Sequence, residues 1–539
     1  MIVSNLSKNI NGKDLLDDIS FVLNDGNKVG LIGKNGVGKS TLLKVISGVL
    51  PIDSGKINLN GQTIKLLKQE ISKDDYDYSV IDYIKKEINI LELERRLHEL
   101  ESNLTDDNME EYGNVLEQFL GVDGYNFDSN LDMVLSGLKL DIDVNKKVGT
   151  LSGGQKIKIL LASLLLSNAD ILLLDEPTNN LDIEAIEWLE NYLINLDKKM
   201  IIVSHDEELL NNITNKIFEL EGGKITEYNL KYSDYLDYKD MEYEHRLEQY
   251  EQAQEQRKKI KASIQEAKEW ANKGLSTKKK DNDKLSANFS KERTKKTSSK
   301  ASKLTKELEK IEVDTDFRKR EPINFTIDYS DIKGNGDIYI EDLICGYKDF
   351  CTPAIKIDIP FGTRIQIFGK NGSGKTTLIK TLLKEIPPIG GKVHVGNDVK
   401  IGYISQDSLD NDSSDLSIYE YLSQDSDIDK SKLFNILNKF HINYEDKDKA
   451  YNSLSPGQRT RVNLAKLAIN KINVLILDEA TNHLDIEAIH ILEEVISSFN
   501  GTIISISHNR AFNECLDPSV ILNVEDATLT YPDKVYKKK

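Results

Sequence analysis

The chain contains 539 residues, carries a net charge of −18 and has three cysteines. This length allows about three or four domains with sizeable cores, and the cysteines lack metal-ligand spacing, which argues against disulfide, iron–sulfur and zinc frameworks. No run approaches the ~18 apolar residues that predict a membrane span, and the chain begins directly with a predicted strand, so we expect a cytoplasmic protein without membrane span or signal peptide.

A glycine-rich loop follows the apolar strand from Val29 to Ile32 and opens a helix. The backbone N–H groups of such a loop and the helix N-terminus can surround a polyphosphate, and glycine is needed where a Cβ would block that approach. We expect Lys39 to reach the β- and γ-phosphates and Ser40 to place a hydroxyl on Mg²⁺. The loop residues predicted to bind the nucleotide are Gly33, Asn35, Gly36, Gly38, Lys39, Ser40 and Thr41.

Gln69 lies 30 residues after Lys39 at the end of a short apolar strand, and we interpret it as a contact to the metal and to water. Beyond it, apolar residues recur at intervals of three and four, which predicts a helical hairpin over about residues 86–122 with a turn near 103–107. The alternative is a decoration of a helical subdomain. The periodic positions are Ile90, Leu93, Leu97, Leu100, Leu104, Met109, Tyr112, Leu116 and Phe119.

A paired acidic motif, Asp175 and Glu176, follows the apolar run from Ile171 to Leu174. Such a run predicts a buried parallel strand, whose C-terminal end delivers carboxylates beside a bound nucleotide. The first acid suits the metal, and the second is free to polarise the attacking water as a general base. His205 follows another apolar run, Ile201 to Val203, in a Ser-His pair that favours a γ-phosphate sensor over an ordinary strand-end histidine.

The glycine-rich loop, the glutamine, the paired acids and the Ser-His pair all recur in the second half of the chain. Leu151-Ser-Gly-Gly-Gln155 returns as Leu454-Ser-Pro-Gly-Gln458, the paired acids each begin 23 residues after the serine of that motif, and each histidine follows the first acid by 30 residues. Two complete and ordered sets exclude an accidental glycine turn. The repeated positions are Gly369, Asn371, Gly372, Gly374, Lys375, Thr376, Thr377, Gln406, Asp478, Glu479 and His508.

Residues 230–318 lie outside both repeats and form a connector. From residue 256 to residue 310 there are 18 Lys or Arg and seven Asp or Glu, a local charge of +11 against −29 for the remainder. Such clustering is typical of proteins that contact phosphate backbones, although a charge run can also be a solvated helix face. Apolar spacings of three and four predict two antiparallel helices with a tip at 272–290; a flexible charged spacer is the alternative. These spacings fall on Tyr243, Leu247, Tyr250, Ile260, Ile264, Ala267, Leu304, Leu308 and Ile311.

The order of glycine-rich loop, LSGGQ motif, acidic strand end and Ser-His pair resembles an ABC-type ATPase. The fuller sequence from Asp175 to Asp182, repeated from Asp478 to Asp485, resembles the ABC-F subfamily of soluble, ribosome-associated twin-cassette proteins. The resemblance covers both repeats and the connector. It implies an α/β fold with two tandem P-loop ABC ATPase domains, 1–229 and 319–539, a helical-hairpin arm inserted in the first domain, and a helical-hairpin linker at 230–318.

The resemblance also implies a monomer whose two cassettes close head to tail over two ATP molecules with Mg²⁺. Each ATP would lie between the P-loop of one cassette and the LSGGQ-type signature of the other. The first site would combine Lys39, Ser40, Gln69, Asp175, Glu176 and His205 with Ser455, Gly457 and Gln458. The second would combine Lys375, Thr376, Gln406, Asp478, Glu479 and His508 with Ser152, Gly153, Gly154 and Gln155.

Several positions depart from the family pattern. Pro456 removes one backbone donor from the second signature, so the first site is expected to turn over differently, and Ala480 replaces the usual proline after Glu479. Tyr347 stands where the family stacks an aromatic ring on adenine, but Ile10 takes that place in the first cassette. Base recognition is therefore expected to be loose there, and the choice between ATP and GTP stays open.

In ABC-F proteins the linker hairpin enters the tRNA exit site of the 70S ribosome and contacts P-site tRNA and 23S rRNA, and the arm touches the L1-stalk region. The long tip resembles members from low-GC Gram-positive bacteria that confer antibiotic resistance by protecting the ribosome. A housekeeping factor for stalled ribosomes and the ATP-binding subunit of a membrane importer are the alternatives. The cations expected to contact RNA are Lys273, Lys278, Lys279, Lys280, Lys284, Lys291 and Arg293.

Overall fold

The computed structural model describes residues 1–10, 12–276, 299, 302–305, 308, 336–347, 350–405, 415–424, 429–440, 442, 444–454, 456–481, 484 and 486–532. They belong to two compact units, one drawn from 1–232 and 322–539 and the other from 233–321. None of the helices described in these ranges is long and apolar enough to cross a membrane.

Two sheets build the first part of the larger unit, here called cassette one. Its strands are β1 (Ile2–Ile10), β2 (Lys13–Val22), β3 (Lys28–Ile32), β4 (Ser54–Asn58), β5 (Ile64–Leu66), β6 (Ile171–Asp175), β7 (Lys199–Val203), β8 (Lys216–Glu221) and β9 (Lys224–Tyr228). An antiparallel sheet has the order β2-β1-β4, and a larger one has the order β5-β6-β7-β3-β8-β9. In the larger sheet the strands are parallel except for β9, which pairs antiparallel with β8.

The second part of this unit, cassette two, repeats the plan. Its strands are β10 (Ile338–Ile344), β11 (Gly346–Tyr347), β12 (Phe350–Cys351), β13 (Ile355–Ile359), β14 (Arg364–Phe368), β15 (Gly390–Val395), β16 (Ile401–Ser405), β17 (Val474–Asp478), β18 (Thr502–Ile506), β19 (Val520–Asn523) and β20 (Thr528–Thr530). The orders β13-β10-β15 and β16-β17-β18-β14-β19-β20 correspond to the two sheets of cassette one, and β11 pairs with β12 as a separate hairpin.

Helices connect and cover these sheets. In cassette one they are α1 (Lys39–Ile46), α2 (Val80–Glu87), α3 (Ile90–Ser102), α4 (Met109–Gly121), α5 (Phe127–Gly137), α6 (Gly153–Leu165), α7 (Ile183–Asn195) and α8 (Glu207–Ile213). After the connector helix α9 (Tyr232–Ser276), cassette two has α10 (Lys375–Leu382), α11 (Ile418–Ser423), α12 (Lys430–Lys439), α13 (Pro456–Ile469), α14 (Ile486–Ser498) and α15 (Arg510–Leu516). The predicted α/β class with two tandem P-loop domains is confirmed.

The central parallel strands explain why chemistry collects at one edge of each sheet. The apolar residues of β6 and β17 are buried, as expected for strands covered on both faces. Parallel pairing places Asp175 opposite Val203 and Asp478 opposite Ile506. The acidic strand ends therefore lie beside the segments that carry the histidines.

The predicted arm is a pair of helices, α3 and α4, with its turn between Ser102 and Met109. An ion pair between Arg96 and Glu111 joins the two helices. The periodic positions are at least partly buried except Leu104 and Met109, which are exposed. Both flank the turn, where the opposite helix no longer covers them.

The first predicted connector helix is present as α9, which has 45 residues. Along its described side chains, positions 243, 247, 250, 253, 257, 260 and 264 are less exposed than their neighbours, and Ile264 is buried. This stripe steps by three and four, as predicted for an amphipathic helix. Of the second predicted helix, residues 299, 302–305 and 308 are helical. The remainder of that prediction, with most of the tip, lies outside the described residues.

Candidate active sites

Both glycine-rich loops close around their own lysine. Lys39 Nζ donates to Gly33 O at 2.5 Å, and Lys375 Nζ donates to Gly369 O at 2.7 Å. Each ammonium also donates to the next carbonyl of its loop, at 3.3 Å in cassette one and 3.2 Å in cassette two. Both lysines are buried, and burial is the main cause that lowers the pKa of Lys375. Two loops 336 positions apart thus share one arrangement.

Each loop ends on a glycine that begins the following helix. Gly38 has φ 114° before α1 and Gly374 has φ 96° before α10, a region that other residues adopt only with strain. Glycine has no side chain that could accept hydrogen bonds from the first-turn N–H groups of the helix. These N–H groups can therefore bind an anion. The predicted hydroxyl residues occupy that first turn: Ser40, Thr41, Thr376 and Thr377.

The aspartates predicted to face the metal are held differently in the two sites. Asp175 Oδ2 accepts a hydrogen bond from Gln69 Nε2 at 3.2 Å. Asp478 instead accepts from Thr376 Oγ1 and from Tyr403 OH, both at 3.2 Å. Burial is the main cause that raises the pKa of Asp478. The structure thus places Gln69 beside the aspartate predicted to face the same metal, whereas Gln406 lies outside the described residues.

Both glutamates predicted as general bases have a strained backbone. Glu176 has φ 52° and Glu479 has φ 51°, in the left-handed region that costs a residue other than glycine about 1–3 kcal/mol. Each lies near its predicted sensor: the Nε2–Oε1 distance is 3.3 Å from His205 to Glu176 and 3.9 Å from His508 to Glu479. The same strained conformation in both cassettes turns each glutamate towards its histidine.

Titration of these groups is shifted by their surroundings. Desolvation raises the pKa of Glu176 to about 8, and the charge of Asp175 adds to the shift. Burial and the charge of Lys375 lower the pKa of His508. A carboxyl group with a raised pKa is a stronger base when ionised than an ordinary glutamate.

The first signature motif forms the N-terminus of α6. Ser152 caps this helix by accepting from Gln155 N at 3.3 Å, and Gln155 Oε1 accepts from Ser152 N at 3.0 Å. Ser152 and Gly153 are exposed, while Gly154 and Gln155 are partly buried. In the second signature, Ser455 lies outside the described residues, and Gly457 and Gln458 belong to α13.

The two cassettes contact each other beside the second P-loop. Asn371 Nδ2, in that loop, donates to Asn180 O of cassette one at 3.1 Å. Asp182 of cassette one, which caps α7, also acts on the pKa of both Lys375 and His508. Cassette one therefore contributes groups to the surroundings of the second site.

Sequence reasoning missed Asn180 and Tyr403. Tyr403 pairs with Ile476 in cassette two, at the position where Leu66 pairs with Leu173 in cassette one. A residue with a polar hydroxyl therefore replaces leucine in one copy of an otherwise apolar strand, and the sequence displays this difference. Asn180 lies within the motif from Asp175 to Asp182, and a sequence does not display its left-handed φ of 64°.

Two remaining predictions concern base recognition and RNA. Tyr347 lies in the β11–β12 hairpin and is 58% exposed, which leaves its ring accessible. Lys273 lies near the end of α9. The other predicted RNA contacts, Lys278, Lys279, Lys280, Lys284, Lys291 and Arg293, lie outside the described residues.

Two P-loops, two paired acidic strand ends and contacting cassettes together define a twin-cassette ABC ATPase. A family model described as ABC transporter matches residues 16–179 and 353–482, and a second model with the same description matches residues 218–325. The chain belongs to this ABC family, whose cassettes bind ATP and hydrolyse it.

Relatives and a solved structure agree with this assignment. The chain is 33% identical over 525 residues to the putative ATP-binding protein YdiF of Bacillus subtilis strain 168, covering 95% of this chain and 78% of the relative. It is 31% identical to the ABC transporter ATP-binding protein YfmM of the same organism, covering 95% of both. These relatives support the ABC-F resemblance. A crystal structure of an archaeal ribosome recycling factor with a ribosomal stalk protein shares the fold, with a TM-score of 0.57, 18% identity and coverage of 96% of this chain and 87% of that chain.

Proposed function

We propose that this ATPase is a translation factor that binds the bacterial 70S ribosome and inserts its connector at the tRNA exit site. The observation that carries the proposal is the charge of +11 between residues 256 and 310, in a chain whose remainder carries −29. ATP hydrolysis by two cassettes does not need a segregated basic segment, whereas contact with RNA phosphates does. A twin-cassette fold of this kind has a precedent at the ribosome, since the archaeal recycling factor was solved with a ribosomal stalk protein.

The described part of the connector suits a long probe. At about 1.5 Å per residue, the 45 residues of α9 extend about 68 Å. Its amphipathic stripe favours a pair of packed helices over a flexible spacer, because a flexible spacer does not need an apolar face. Lys258, Lys259 and Lys261 are exposed on this helix, and they begin the basic segment. We therefore keep 1–229, 230–318 and 319–539 as the proposed domains, with the arm at about 86–122 directed to the L1-stalk region.

The proposed chemistry is ATP hydrolysis at two composite sites. The donor set of a carboxylate and a hydroxyl, Asp478 with Thr376 and Asp175 with Ser40, fits Mg²⁺, which prefers oxygen ligands and is completed by phosphates and water. Bound Mg²⁺ would neutralise charge on the β- and γ-phosphates. Lys39 and Lys375 would hold the phosphates, the glutamates would accept a proton from the attacking water, and the histidines would contact the γ-phosphate.

ATP binding would act as a switch between two states of the protein. The closed state allows a signature of one cassette to contact the phosphates held by the other, and the open state cannot make these contacts. Nucleotide therefore favours closure by the difference in contact energy between the states. Hydrolysis would remove the favoured contacts and release the connector from the ribosome.

Cosedimentation with 70S ribosomes tests this function. The Glu176→Gln/Glu479→Gln protein with ATP should pellet with ribosomes, because closure is kept while hydrolysis is blocked. Deletion of residues 272–290 in that background should abolish pelleting, and the purified deletion protein should still bind ATP if the cassettes are folded. If the undeleted protein stays in the supernatant with ATP, the ribosomal role is wrong.

The proposed biological role is antibiotic resistance by target protection against lincosamides, pleuromutilins or streptogramin A compounds. Its support is the length of the 272–290 tip alone. Expression of the chain in a susceptible Gram-positive host should raise the inhibitory concentration of at least one of these classes, and the 272–290 deletion should remove the gain. Ribosome binding without any change in susceptibility would favour the housekeeping factor, and recovery in the membrane fraction would favour an importer subunit.

A further inference from the structure

Arg510 joins the two cassettes through three carboxylates. Its Nη2 lies 2.7 Å from Glu190 Oε2 and 3.7 Å from Asp206 Oδ1, and its Nε lies 2.6 Å from Glu208 Oε2. The arginine begins α15 of cassette two, and the carboxylates belong to α7, to the residue before α8 and to α8 of cassette one.

The contacted residues are continuous with the two predicted γ-phosphate sensors. Asp206 follows His205 directly, and Arg510 stands two residues after His508. Asp206 Oδ1 also accepts from Leu209 N at 3.0 Å and so caps α8. In cassette two, Asn509 caps α15 in the same way, because its Oδ1 accepts from Phe512 N at 2.9 Å. The Arg510–Asp206 contact therefore links two short capped segments, each of which carries one sensor histidine.

This cluster is shielded enough to matter energetically. The side chain of Arg510 is 19% exposed, and those of Glu190 and Asp206 are 13% and 10% exposed. Partly buried pairs are less screened by salt than surface pairs. Asn212 Nδ2 donates to Glu190 Oε1 at 2.7 Å and orients the other oxygen for the guanidinium. A planar guanidinium can contact several carboxylates at once, which an ammonium cannot do in the same way.

The equivalent positions of the two cassettes carry opposite charges. Glu207 stands two residues after His205, where cassette two has Arg510. Glu207 belongs to the same interface, since its Oε1 lies 3.4 Å from His490 Nε2 of cassette two. The acidic α8 thus faces Arg510, and the charge difference between the repeats becomes an attraction between them.

We propose that Arg510 is a positioning residue that couples the two ATP sites. Because it fixes the segment after His508 to the segment after His205, a displacement of either histidine on nucleotide turnover is transmitted to the other through a contiguous set of contacts. This role depends only on the ATPase activity, and it stands or falls independently of ribosome binding.

Site-specific ATPase rates test the coupling. Glu176→Gln leaves only the second site active, and Glu479→Gln leaves only the first. If the two sites are independent, the ATPase rates of the two single variants add up to the wild-type rate. If the sites are coupled, the wild-type rate should differ from that sum by about fivefold or more. In the Arg510→Gln background, the corresponding rates should become additive. Additivity already in the wild-type background, or an unchanged departure in Arg510→Gln, overturns the proposal.

Matched variants separate coupling from a loss of structure. Arg510→Lys keeps the charge and should restore part of the departure from additivity, whereas Arg95→Gln, which removes an arginine paired with Glu92 and Glu99 within α3, should leave it unchanged. The KM for ATP should stay near the wild-type value while the coupling in kcat is lost. Should Arg510→Gln fail to fold, Glu208→Gln removes a partner that is 37% exposed and should weaken the coupling; full coupling in that variant would then count against the proposal.

Discussion

Glu176 combines a strained φ of 52° with a pKa raised to about 8 by desolvation and by Asp175. A base must be ionised to accept a proton from water, so turnover at the first site should increase as the pH rises towards about 8. The Glu479→Gln variant isolates this site, and its kcat/KM reports the free enzyme. We expect kcat/KM to rise between about pH 6 and 9 with its midpoint near 8; a flat profile over that range would contradict a base role for Glu176.

Replacing both predicted bases tests their role without removing volume. Glu176→Gln with Glu479→Gln keeps size and polarity, so the dissociation constant for ATP should change by less than about threefold. Loss of the proton acceptors should lower kcat by about 100-fold or more. Steady-state phosphate release and nucleotide titration measure the two quantities. Wild-type turnover in the double variant would refute the assignment.

At the scale of elements, a glycine of the second P-loop and a glycine of the arm are expected to respond in opposite ways to substitution by alanine. Gly374 is the N-cap of α10 and has φ 96°, so Gly374→Ala should destabilise cassette two by about 1–2 kcal/mol. Gly113 lies inside α4, where an added Cβ meets nothing within 4 Å, so Gly113→Ala should stabilise the arm by up to about 1 kcal/mol. Thermal unfolding of the two variants should shift in opposite directions, and equal shifts would show that the φ of Gly374 is not constraining.

The elements that local sequence determines were predictable, and the contacts between distant elements were not. The buried runs of β6 and β17 and the stripe of α9 follow from apolar periodicity, which a sequence displays directly. Arg510 and Glu190 are 320 residues apart, and their contact depends on how the cassettes dock. Likewise, Gln69 was assigned to the site from its spacing to Lys39, whereas the hydrogen bond from Tyr403 to Asp478 depends on strand register, which the spacing does not determine.

At the scale of the whole molecule, the two cassettes share one fold but differ in the side chains that surround their site residues. The aspartate predicted to face the metal is held by Gln69 in one site and by Thr376 and Tyr403 in the other. In cassette one, Glu207 Oε1 also accepts from Tyr232 OH at 3.2 Å. Glu207 thus takes part both in the contact with His490 of cassette two and in a hydrogen bond with the first residue of α9.

The charge separation between cassettes and connector predicts how the proposed ribosome binding should respond to salt. Each cation that neutralises an RNA phosphate contributes about 0.7–0.9 to the slope of log affinity against log salt concentration. Replacing Lys278, Lys279 and Lys280 by Gln should therefore reduce the slope by about two and weaken binding at low salt. Replacing three exposed cassette lysines, Lys56, Lys356 and Lys392, makes the same change in net charge and should leave the slope within about 0.5 of wild type. Cosedimentation of the closed protein over a salt series measures both slopes, and equal slopes for the two triple variants would show that net charge, rather than the connector, governs the interaction.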